Sequence, residues 1–232
     1  NAEVGGRVQS ERLGGFRFDT GPSLLLFPQT YRDAFAGLAG GELPELLRVD
    51  PAYRVFFDGD GSLDLLYDEA AMAAQLERVE AGAGEKYRAL LARSTATLDM
   101  GMALFIERNI RNFAEMLDVP KLLGALPKLG GSPLDLLLPF DRFLSRYFES
   151  PKLRALFTFQ TLYVGLSPFT APAAFQLLAA TELRDGVFYP AGGFGRVAIG
   201  LRMACEAAGV EIATDTEVQR IVEADGAGSR RL

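Results

Sequence analysis

Glycine-punctuated strand patterns lie near both ends of the chain and enclose a long stretch with helical periodicity. Val8 to Asp19 predicts a β-hairpin, because Gly14-Gly15 separates two short runs and the second run alternates apolar and charged residues. Tyr53 to Leu66 predicts a second hairpin around an acidic turn. Later strands are predicted at Gly186 to Tyr189, Val210 to Ala213 and Val218 to Val222. This alternation of strands and helices predicts a fold of the α/β (α+β) class.

The centre of the chain is predicted to be helical. From Glu85 to Asp118 the apolar residues recur at spacings of three, four or seven, which predicts one long helix, or two with a kink near Gly101. Helix starts are also predicted at Pro28, at Asp68 as an N-cap, and at Ser150-Pro151. A final helix is predicted from Phe194 to Ala208.

The composition excludes several classes of function. The chain of 232 residues contains no histidine, which excludes within it Ser-His-Asp and Cys-His catalysis and every metal site that needs imidazole. A net charge of -6 without a stretch dense in Lys and Arg argues against binding to nucleic acid. Asp58 to Gly61 is typical of turn chemistry rather than metal binding, and we predict no metal. The single cysteine, Cys205, is expected to be buried and structural.

A leucine-rich and phenylalanine-rich segment, Leu122 to Phe148, allows two interpretations. It is broken by Pro127, Pro133 and Pro139, so it cannot form one membrane-spanning helix. It could form short helices in a membrane interface, with a basic flank consisting of Lys121, Lys128, Arg142 and Arg146. Alternatively, these helices bury one another or line an apolar cavity. The sequence does not decide between the two.

The turn Gly5-Gly6-Arg7 has residue types that suit a cofactor phosphate. Glycine lets the backbone approach a ligand closely, and a planar guanidinium can bind a pyrophosphate with two parallel hydrogen bonds. Taken alone, the turn fits a solvated arginine better, and only the downstream segments favour the cofactor. A dinucleotide site also requires a strand and a glycine-rich turn before this point, and neither fits in the residues before Gly5. We therefore expect the chain to be an internal fragment of a larger protein.

Several segments in this order resemble the FAD-dependent amine-oxidase superfamily, and more closely its carotenoid (phytoene) desaturase branch. The resemblance rests on Val4 to Arg7, Phe16 to Ser23, Thr161 to Pro168 and Gly186 to Phe194. In addition, Val218 to Ile221 is similar to the strand on the adenine side of the family's cofactor. The similarity runs along the whole chain, although only the first 23 residues and positions 161 to 221 carry distinctive motifs.

The resemblance implies an incomplete Rossmann-like FAD-binding domain with an inserted, mostly helical substrate domain. Residues 1–67 and 185–232 would form part of the FAD-binding domain, and residues 68–184 the substrate and membrane-docking domain. The implied FAD-binding residues are Gly5, Gly6, Arg7, Gly21, Pro22, Ser23 and Val218. Because the turn that cradles the phosphates is absent, we expect the isolated chain to hold FAD poorly and to be inactive by itself.

The implied activity is desaturation of a long apolar polyene such as phytoene, at the surface of a membrane as a peripheral protein. The terminal electron acceptor is not assigned. Arg154 is the candidate catalytic residue, by its position between the proline-broken segment and Ser167-Pro168. Asp135, Asp141 and Glu182 are equally open candidates.

Two alternatives to a desaturase remain open. One is a related flavoprotein that acts on another lipid, such as a carotenoid isomerase or a retinol-saturase-like enzyme. The other is a prenyl-binding protein without catalysis, similar to the GDP-dissociation inhibitors. Arg7 and Gly21-Pro22-Ser23 favour an enzyme over the binding protein.

Overall fold

The computed structural model describes residues 2–59, 61–106, 111–112, 124 and 126–220. The chain divides into two compact units. Unit 1 consists of Asn1–Ser23, Gln29–Glu45 and Pro190–Leu232, and unit 2 consists of Leu24–Pro28 and Leu46–Tyr189. The predicted division into an FAD-binding part and a substrate part is a functional one, and it stays a prediction.

The described residues form short strands and mostly short helices. In chain order the strands are β1 Ser10–Leu13, β2 Phe16–Asp19, β3 Leu46–Arg48, β4 Tyr53–Phe56, β5 Ser62–Leu65 and β6 Phe188–Pro190. The α-helices are α1 Pro28–Ala36, α2 Glu69–Glu77, α3 Ala83–Gly101, α4 Phe140–Leu144, α5 Pro151–Thr158, α6 Gln176–Asp185 and α7 Gly195–Ala207. Four 3-10 segments are Leu126–Leu129, Pro133–Leu137, Phe159–Val164 and Ala173–Phe175. This mixed content is compatible with the α/β class.

Unit 1 contains the first predicted hairpin and the last predicted helix, and both are confirmed. β1 and β2 are antiparallel, and the turn between them uses Gly14 and Gly15, both at positive φ. The buried face of α7 consists of Val197, Gly200 and Ala204, which recur at helical spacing. Cys205 lies one residue beyond this face and is exposed, so the expectation of a buried thiol was wrong.

Unit 2 holds an aromatic core among its helices. The longest helix, α3, packs against α2 and α6. The Phe157 ring stacks on Tyr87 at 5.8 Å and on Phe148 at 5.5 Å between ring centroids. The largest fully buried side chains of this core are Tyr87, Phe140, Phe143, Phe148, Phe157, Leu65, Met72, Leu76 and Leu144.

The second predicted hairpin is also confirmed, in unit 2. β4 and β5 are antiparallel, and Arg54 and Asp64 face each other across the pair in an ion pair of 2.7 Å. Asp60, in the turn, lies outside the described residues. Asp68 caps α2 as predicted, because its side chain accepts a hydrogen bond of 2.7 Å from the Ala71 N–H. In addition, β3 pairs with β6.

Two predicted helices begin as expected but change their helix type before their predicted ends. The long helix predicted from Glu85 is α-helical to Gly101 and then widens into a π-helical turn at Met102–Ile106, near the predicted kink. The helix predicted from Ser150-Pro151 begins there, but it tightens into the 3-10 segment Phe159–Val164. Most of the predicted stretch after Ile106 lies outside the described residues.

The strand predicted at Val210 to Ala213 was wrong, because the structure has irregular backbone there. The strand predicted at Val218 to Val222 was also wrong over positions 218–220, where the backbone is irregular. Positions 221 and 222 lie outside the described residues. A strand needs a partner for its backbone N–H and C=O groups. The described part of the chain pairs none with this stretch, and the Val210 N–H bonds to the Cys205 C=O at the end of α7 instead.

The leucine-rich and phenylalanine-rich segment combines features of both interpretations. Its second half is part of the core, where Phe140, Phe143, Leu144 and Phe148 are buried. Its middle part exposes Leu134 at 72% and Leu137 at 74% of their surfaces, whereas Leu129 and Leu136 are buried. Within the described ranges, no helix combines the length and the apolar character that crossing a bilayer requires.

Candidate functional site

Unit 1 contains an open cleft of about 520 Å³. Its walls come from the N-terminal residues, the β1–β2 hairpin and α7. The residues that line it are Glu3, Val4, Val8, Gln9, Ser10, Arg12, Arg17, Gly192, Gly195, Arg196, Ile199 and Arg202. Arginine thus supplies most of the charged side chains of this cleft.

The hairpin register places two of the arginines directly opposite each other. Arg12 on β1 is the cross-strand partner of Arg17 on β2, and both line the cleft. Like charges directly opposite each other destabilise a strand pair, so this arrangement favours an anion nearby. Within the described residues neither guanidinium forms an ion pair.

The first turns of α7 provide a second source of positive potential. Gly192 and Gly195 line the cleft at the start of this helix of 13 residues, where the helix dipole adds positive potential. Arg196 and Arg202 follow on α7, and Arg202 also forms an ion pair with Glu206 at 2.7 Å. The β1–β2 hairpin and α7 therefore each contribute two arginines to the lining of the same cleft.

Asp19 connects the hairpin to the turn before α7. Its carboxylate accepts a hydrogen bond from the Ser10 hydroxyl and another, of 3.2 Å, from the Phe194 N–H. Gly193 lies so close that a Cβ there would be 2.8 Å from the Asp19 Oδ1 atom and 3.2 Å from the Arg17 Nε atom. The close approach explains why this turn contains glycine.

The structure brings together three of the predicted cofactor-binding residues, Gly5, Arg7 and Gly21. A Cβ on Gly21 would lie 1.8 Å from the Arg7 carbonyl oxygen, so only glycine fits against this backbone. Gly5 has a φ of 115°, and a Cβ there would be 3.0 Å from the Ala198 side chain on α7. Val4 and Val8, which flank the Gly5-Gly6-Arg7 turn, line the cleft.

None of the seven predicted residues is among those that line the cleft. Gly6, Arg7, Gly21, Pro22 and Ser23 are exposed, and Val218 is exposed over 75% of its surface. Their roles in binding the cofactor stay predictions.

The positions of Arg12 and Arg17 in the sequence already indicate that the two residues pair across the hairpin, although no family motif contains both. In a hairpin that turns at Gly14-Gly15, positions 12 and 17 are equally distant from the turn and therefore pair. For Arg196 and Arg202 the signal is their recurrence along one face of α7 together with Ile199.

In unit 2, Arg154 and two of the candidate carboxylates are engaged in ion pairs. The Arg154 Nε atom donates to the Asp141 Oδ1 atom at 3.0 Å, and its Nη1 atom donates to the Phe148 and Glu149 carbonyls. Asp135 accepts from Arg93 at 3.2 Å and from Arg146 at 2.8 Å. These contacts hold α4 and its neighbours together, and a catalytic role for Arg154 stays a prediction.

Glu182 has a different environment, because it is fully buried on α6. Its Oε2 atom accepts a hydrogen bond of 3.0 Å from the Gln160 side chain. Its Oε1 atom lies 3.1 Å from the Tyr53 hydroxyl and 2.9 Å from the Tyr163 hydroxyl. Burial raises the pKa of Glu182 above its ordinary value, against the opposing effect of these hydrogen bonds. Burial and the nearby carboxylate also raise the pKa of both tyrosines.

The donor set of the cleft fits a phosphate-bearing cofactor better than a metal ion. Guanidinium groups and helix N–H groups bind phosphate oxygens, whereas a cation requires carboxylates or other electron donors. Throughout the described ranges, no group of three or more His, Cys, Asp or Glu side chains is arranged to hold a metal. The cleft is therefore a candidate site for a phosphate-bearing group.

The comparison with protein families identifies the class more closely. The family model described as flavin containing amine oxidoreductase matches residues 1–231. The chain belongs to this family, which implies a flavin as cofactor.

Among curated proteins, the chain is similar to several desaturases. It is 33% identical to the carotenoid 3,4-desaturase of Haloarcula japonica, over 95% of this chain and 44% of that protein. It is 33% identical to the phytoene desaturase of Neurospora crassa, over 100% of this chain and 39% of that protein. For the zeta-carotene-forming phytoene desaturase of Myxococcus xanthus the identity is 31%, over 97% of this chain and 43% of that protein. The chain thus spans about two-fifths of these relatives.

Proposed function

We propose that the protein that carries this chain is an FAD-dependent desaturase of a long apolar polyene such as phytoene. The observation that carries this proposal is the similarity to carotenoid and phytoene desaturases along 95% to 100% of the chain. The family of flavin containing amine oxidoreductases, to which the chain belongs, supplies the class of chemistry.

In this proposal the flavin is FAD, and its diphosphate binds in the arginine-lined cleft of unit 1. In this proposal Arg12, Arg17 and the N-terminal turn of α7 hold the diphosphate, and Gly5 to Arg7 contribute as the family motif implies. A flavin bound there would supply the hydride acceptor that the side chains of the protein cannot provide. Unit 1 then belongs to a Rossmann-like FAD-binding domain.

Unit 2 supplies the substrate domain in this proposal. Removal of hydrogen from an unactivated hydrocarbon requires an apolar binding region more than polar recognition groups. Unit 2 exposes several large apolar side chains, including Leu134, Leu137, Leu162, Val164 and Phe169. Exposed apolar surface of this kind is typical of a binding region.

We also propose that unit 2 docks on a membrane surface, where apolar polyenes reside. Leu134 and Leu137 are exposed in the middle of the proline-broken segment. Lys128, Arg142 and Arg146 in the same segment are exposed as well, and they suit anionic lipid headgroups. This proposal makes the protein a peripheral membrane protein.

The test of the enzymatic proposal is expression of the native protein that carries this chain in cells that accumulate phytoene. We expect the pigment extract to contain polyenes with a longer conjugated system, seen as absorption bands in the visible range. A matched culture with the Arg12→Gln/Arg17→Gln variant should accumulate less of this product, because the cleft loses both hairpin charges.

Other products would overturn the proposal. Unchanged phytoene argues against desaturation. A change in double-bond geometry without additional double bonds indicates an isomerase. Protein that purifies with a bound prenyl lipid and without flavin indicates a binding protein.

A further inference from the structure

Three side chains form a hydrogen-bonded cluster within unit 2, outside the cleft. They are Tyr53, Tyr163 and Glu182, which we name the tyrosine–glutamate cluster. We propose that this cluster is a pH-sensitive latch, closed while Glu182 is a carboxylic acid, that releases the end of the 3-10 segment Phe159–Val164 when Glu182 ionises. The latch belongs to unit 2 alone and does not depend on the function proposed above.

The cluster joins three elements of unit 2. Tyr53 lies on β4, Tyr163 in the 3-10 segment Phe159–Val164 and Glu182 on α6. The Tyr163 Oη atom lies 2.6 Å from the Tyr53 Oη atom and 2.9 Å from the Glu182 Oε1 atom. The distance from the Tyr53 Oη atom to the Glu182 Oε1 atom is 3.1 Å. Each distance is within the range of a hydrogen bond, so the three oxygen atoms form a closed triangle.

The number of protons shows which form of Glu182 closes this triangle. Each tyrosine hydroxyl donates one hydrogen bond, whereas an ionised carboxylate donates none. Two protons therefore serve three contacts while Glu182 is ionised. A proton on the Glu182 Oε1 atom supplies the third, because Oε2 already accepts from the Gln160 side chain. The closed triangle is thus the arrangement of the carboxylic acid.

Ionisation of Glu182 opposes the closed cluster in two ways. Two oxygen atoms then face each other at hydrogen-bond distance without a proton between them, and their partial charges repel. The negative charge is also buried, since Glu182 is the only buried carboxylate among the described residues. Burial raises the pKa of Glu182 above its ordinary value. The protonated group therefore stabilises the closed form at low pH, and this contribution is lost as the pH rises through the raised pKa.

In the part of the chain that the structure describes, no cation forms an ion pair with Glu182. The arginines of α6, and of α3 and α5 that pack against it, bind other carboxylates, and Lys152 of α5 lies over the Phe57 ring. The ion pairs of these helices are Arg88 with Glu69, Arg93 with Asp135, Arg154 with Asp141, Arg184 with Asp99 and Asp185, and Lys86 with Glu80. Burial and the carboxylate raise the pKa of Tyr53 and Tyr163, so both tyrosines keep their protons while Glu182 titrates.

The end of the 3-10 segment is the part that the latch can release. Tyr163 is 39% exposed, and Leu162 beside it is 66% exposed. The backbone hydrogen bonds there are local, from the Gly165 N–H to the Leu162 C=O at 3.1 Å and from the Leu166 N–H to the Thr161 C=O at 3.0 Å. By contrast, β4 pairs with β5, and α6 packs along α3. Opening of the cluster therefore frees Tyr163 and weakens these two hydrogen bonds.

The test compares hydrogen exchange in wild type and in Glu182→Gln, in the native protein that carries this chain. Glutamine keeps a donor and an acceptor at this position but cannot ionise. The measured quantity is the exchange rate of the Gly165 and Leu166 N–H groups in wild type, divided by the rate in the variant at the same pH. We expect this ratio to be about one at low pH and to rise to about tenfold or more as Glu182 ionises.

Two further variants control the comparison. Glu149→Gln removes an exposed carboxylate of the same unit, and its exchange rates should match those of wild type at every pH. Tyr163→Phe removes one hydroxyl of the triangle. After correction for the intrinsic pH dependence of exchange, this variant should exchange at low pH about as fast as wild type does at high pH.

A ratio near one at every pH would overturn the latch. If Glu182→Gln does not fold, Tyr163→Phe decides, because slow exchange in this variant at low pH would contradict the latch equally. Infrared titration of wild type provides a direct readout of the carboxyl group. We expect a protonated-carboxyl band that disappears in the pH range in which exchange accelerates. Acceleration of exchange without such a band would assign the pH dependence to another group and overturn the role of Glu182.

Discussion

At the scale of single residues, the face-to-face arginines of the hairpin are the clearest sign of a ligand. Arg12 and Arg17 are opposed across β1 and β2. Like-charged pairs of this kind cost about 0.2–1 kcal/mol relative to neutral ones. A diphosphate between them would convert this repulsion into attraction. The hairpin and the ligand would then stabilise each other.

We expect Arg12→Gln to weaken FAD binding by about tenfold to a hundredfold, since a hydrogen bond to a charged group contributes about 1.5–3 kcal/mol. The measurement is flavin affinity by fluorescence titration of the native protein that carries this chain. Arg78→Gln is the control, because Arg78 is exposed in unit 2. Equal affinities for the two variants would contradict a role for the cleft in holding the diphosphate.

Single residues also show where prediction from sequence ends. The pairing of Arg12 with Arg17 follows from the position of the glycine turn, so the sequence alone was sufficient for it. The contacts of Glu182 with Tyr53 and Tyr163 were not predictable in this way. Tyr53 and Glu182 are 129 residues apart, and only tertiary packing brings them into contact. From the sequence alone, Glu182 could not be distinguished from Asp135 and Asp141 as a candidate catalytic residue, because its burial depends on tertiary packing.

At the scale of elements, the packing of α7 requires a glycine, Gly200, because there is no space for a side chain at this position. Gly200 is buried on the face of α7 that packs against the segment after α1. A Cβ on Gly200 would lie 2.0 Å from the Glu42 carbonyl oxygen and 3.0 Å from the Phe35 ring. Backbone atoms cannot move aside as easily as a flexible side chain can. The position of α7, and of the cleft arginines on it, therefore requires glycine here.

We expect Gly200→Ala to destabilise the protein by about 1–3 kcal/mol through overpacking. Gly101→Ala is the matched control, because Gly101 ends α3 and a Cβ there would make only an ordinary contact of 3.7 Å with Leu177. This control should be neutral or stabilise by up to about 1 kcal/mol, since alanine restricts the unfolded chain. Thermal unfolding followed by circular dichroism measures both. Equal melting temperatures for the two variants would mean that the segment after α1 shifts to accommodate the added methyl group and that glycine is not required at position 200.

Element prediction succeeded where local chemistry determines the outcome. Both hairpins, the Asp68 cap and the Ser150-Pro151 helix start depend on residues within a few positions of each other. It was wrong at Val210 to Ala213, because alternation of side chains does not provide a partner strand. The Rossmann-like arrangement stays a proposal for the same reason, since it depends on strands that must pair over long distances.

At the scale of the whole molecule, the two units differ in what they offer a ligand. Unit 1 presents a charged cleft that suits a phosphate-bearing cofactor. Unit 2 presents an aromatic core. Both units expose large apolar side chains, for example Phe16 in unit 1 and Phe169 in unit 2, so the charged cleft is what distinguishes unit 1.

Membrane docking is tested by flotation of the native protein that carries this chain with anionic phospholipid vesicles. We expect Leu134→Ser/Leu137→Ser to reduce partition by at least about tenfold, because a fully buried leucine contributes about 1.5–3 kcal/mol. Phe56→Ser is the control, since Phe56 is 77% exposed but lies outside the proline-broken segment. Salt should weaken binding further if Lys128 and Arg146 contact the headgroups. Equal flotation of all three proteins would contradict docking by this segment.

The exposure of Cys205 makes α7 easy to observe. The chain contains one cysteine, and its thiol is accessible on this helix. A maleimide dye would therefore label the chain at a single defined position. Arg196 lies nine residues earlier on α7, which at about 1.5 Å per residue is roughly 14 Å along the helix axis. At this distance a bound flavin can quench the dye by energy transfer, so cofactor loading becomes visible in real time.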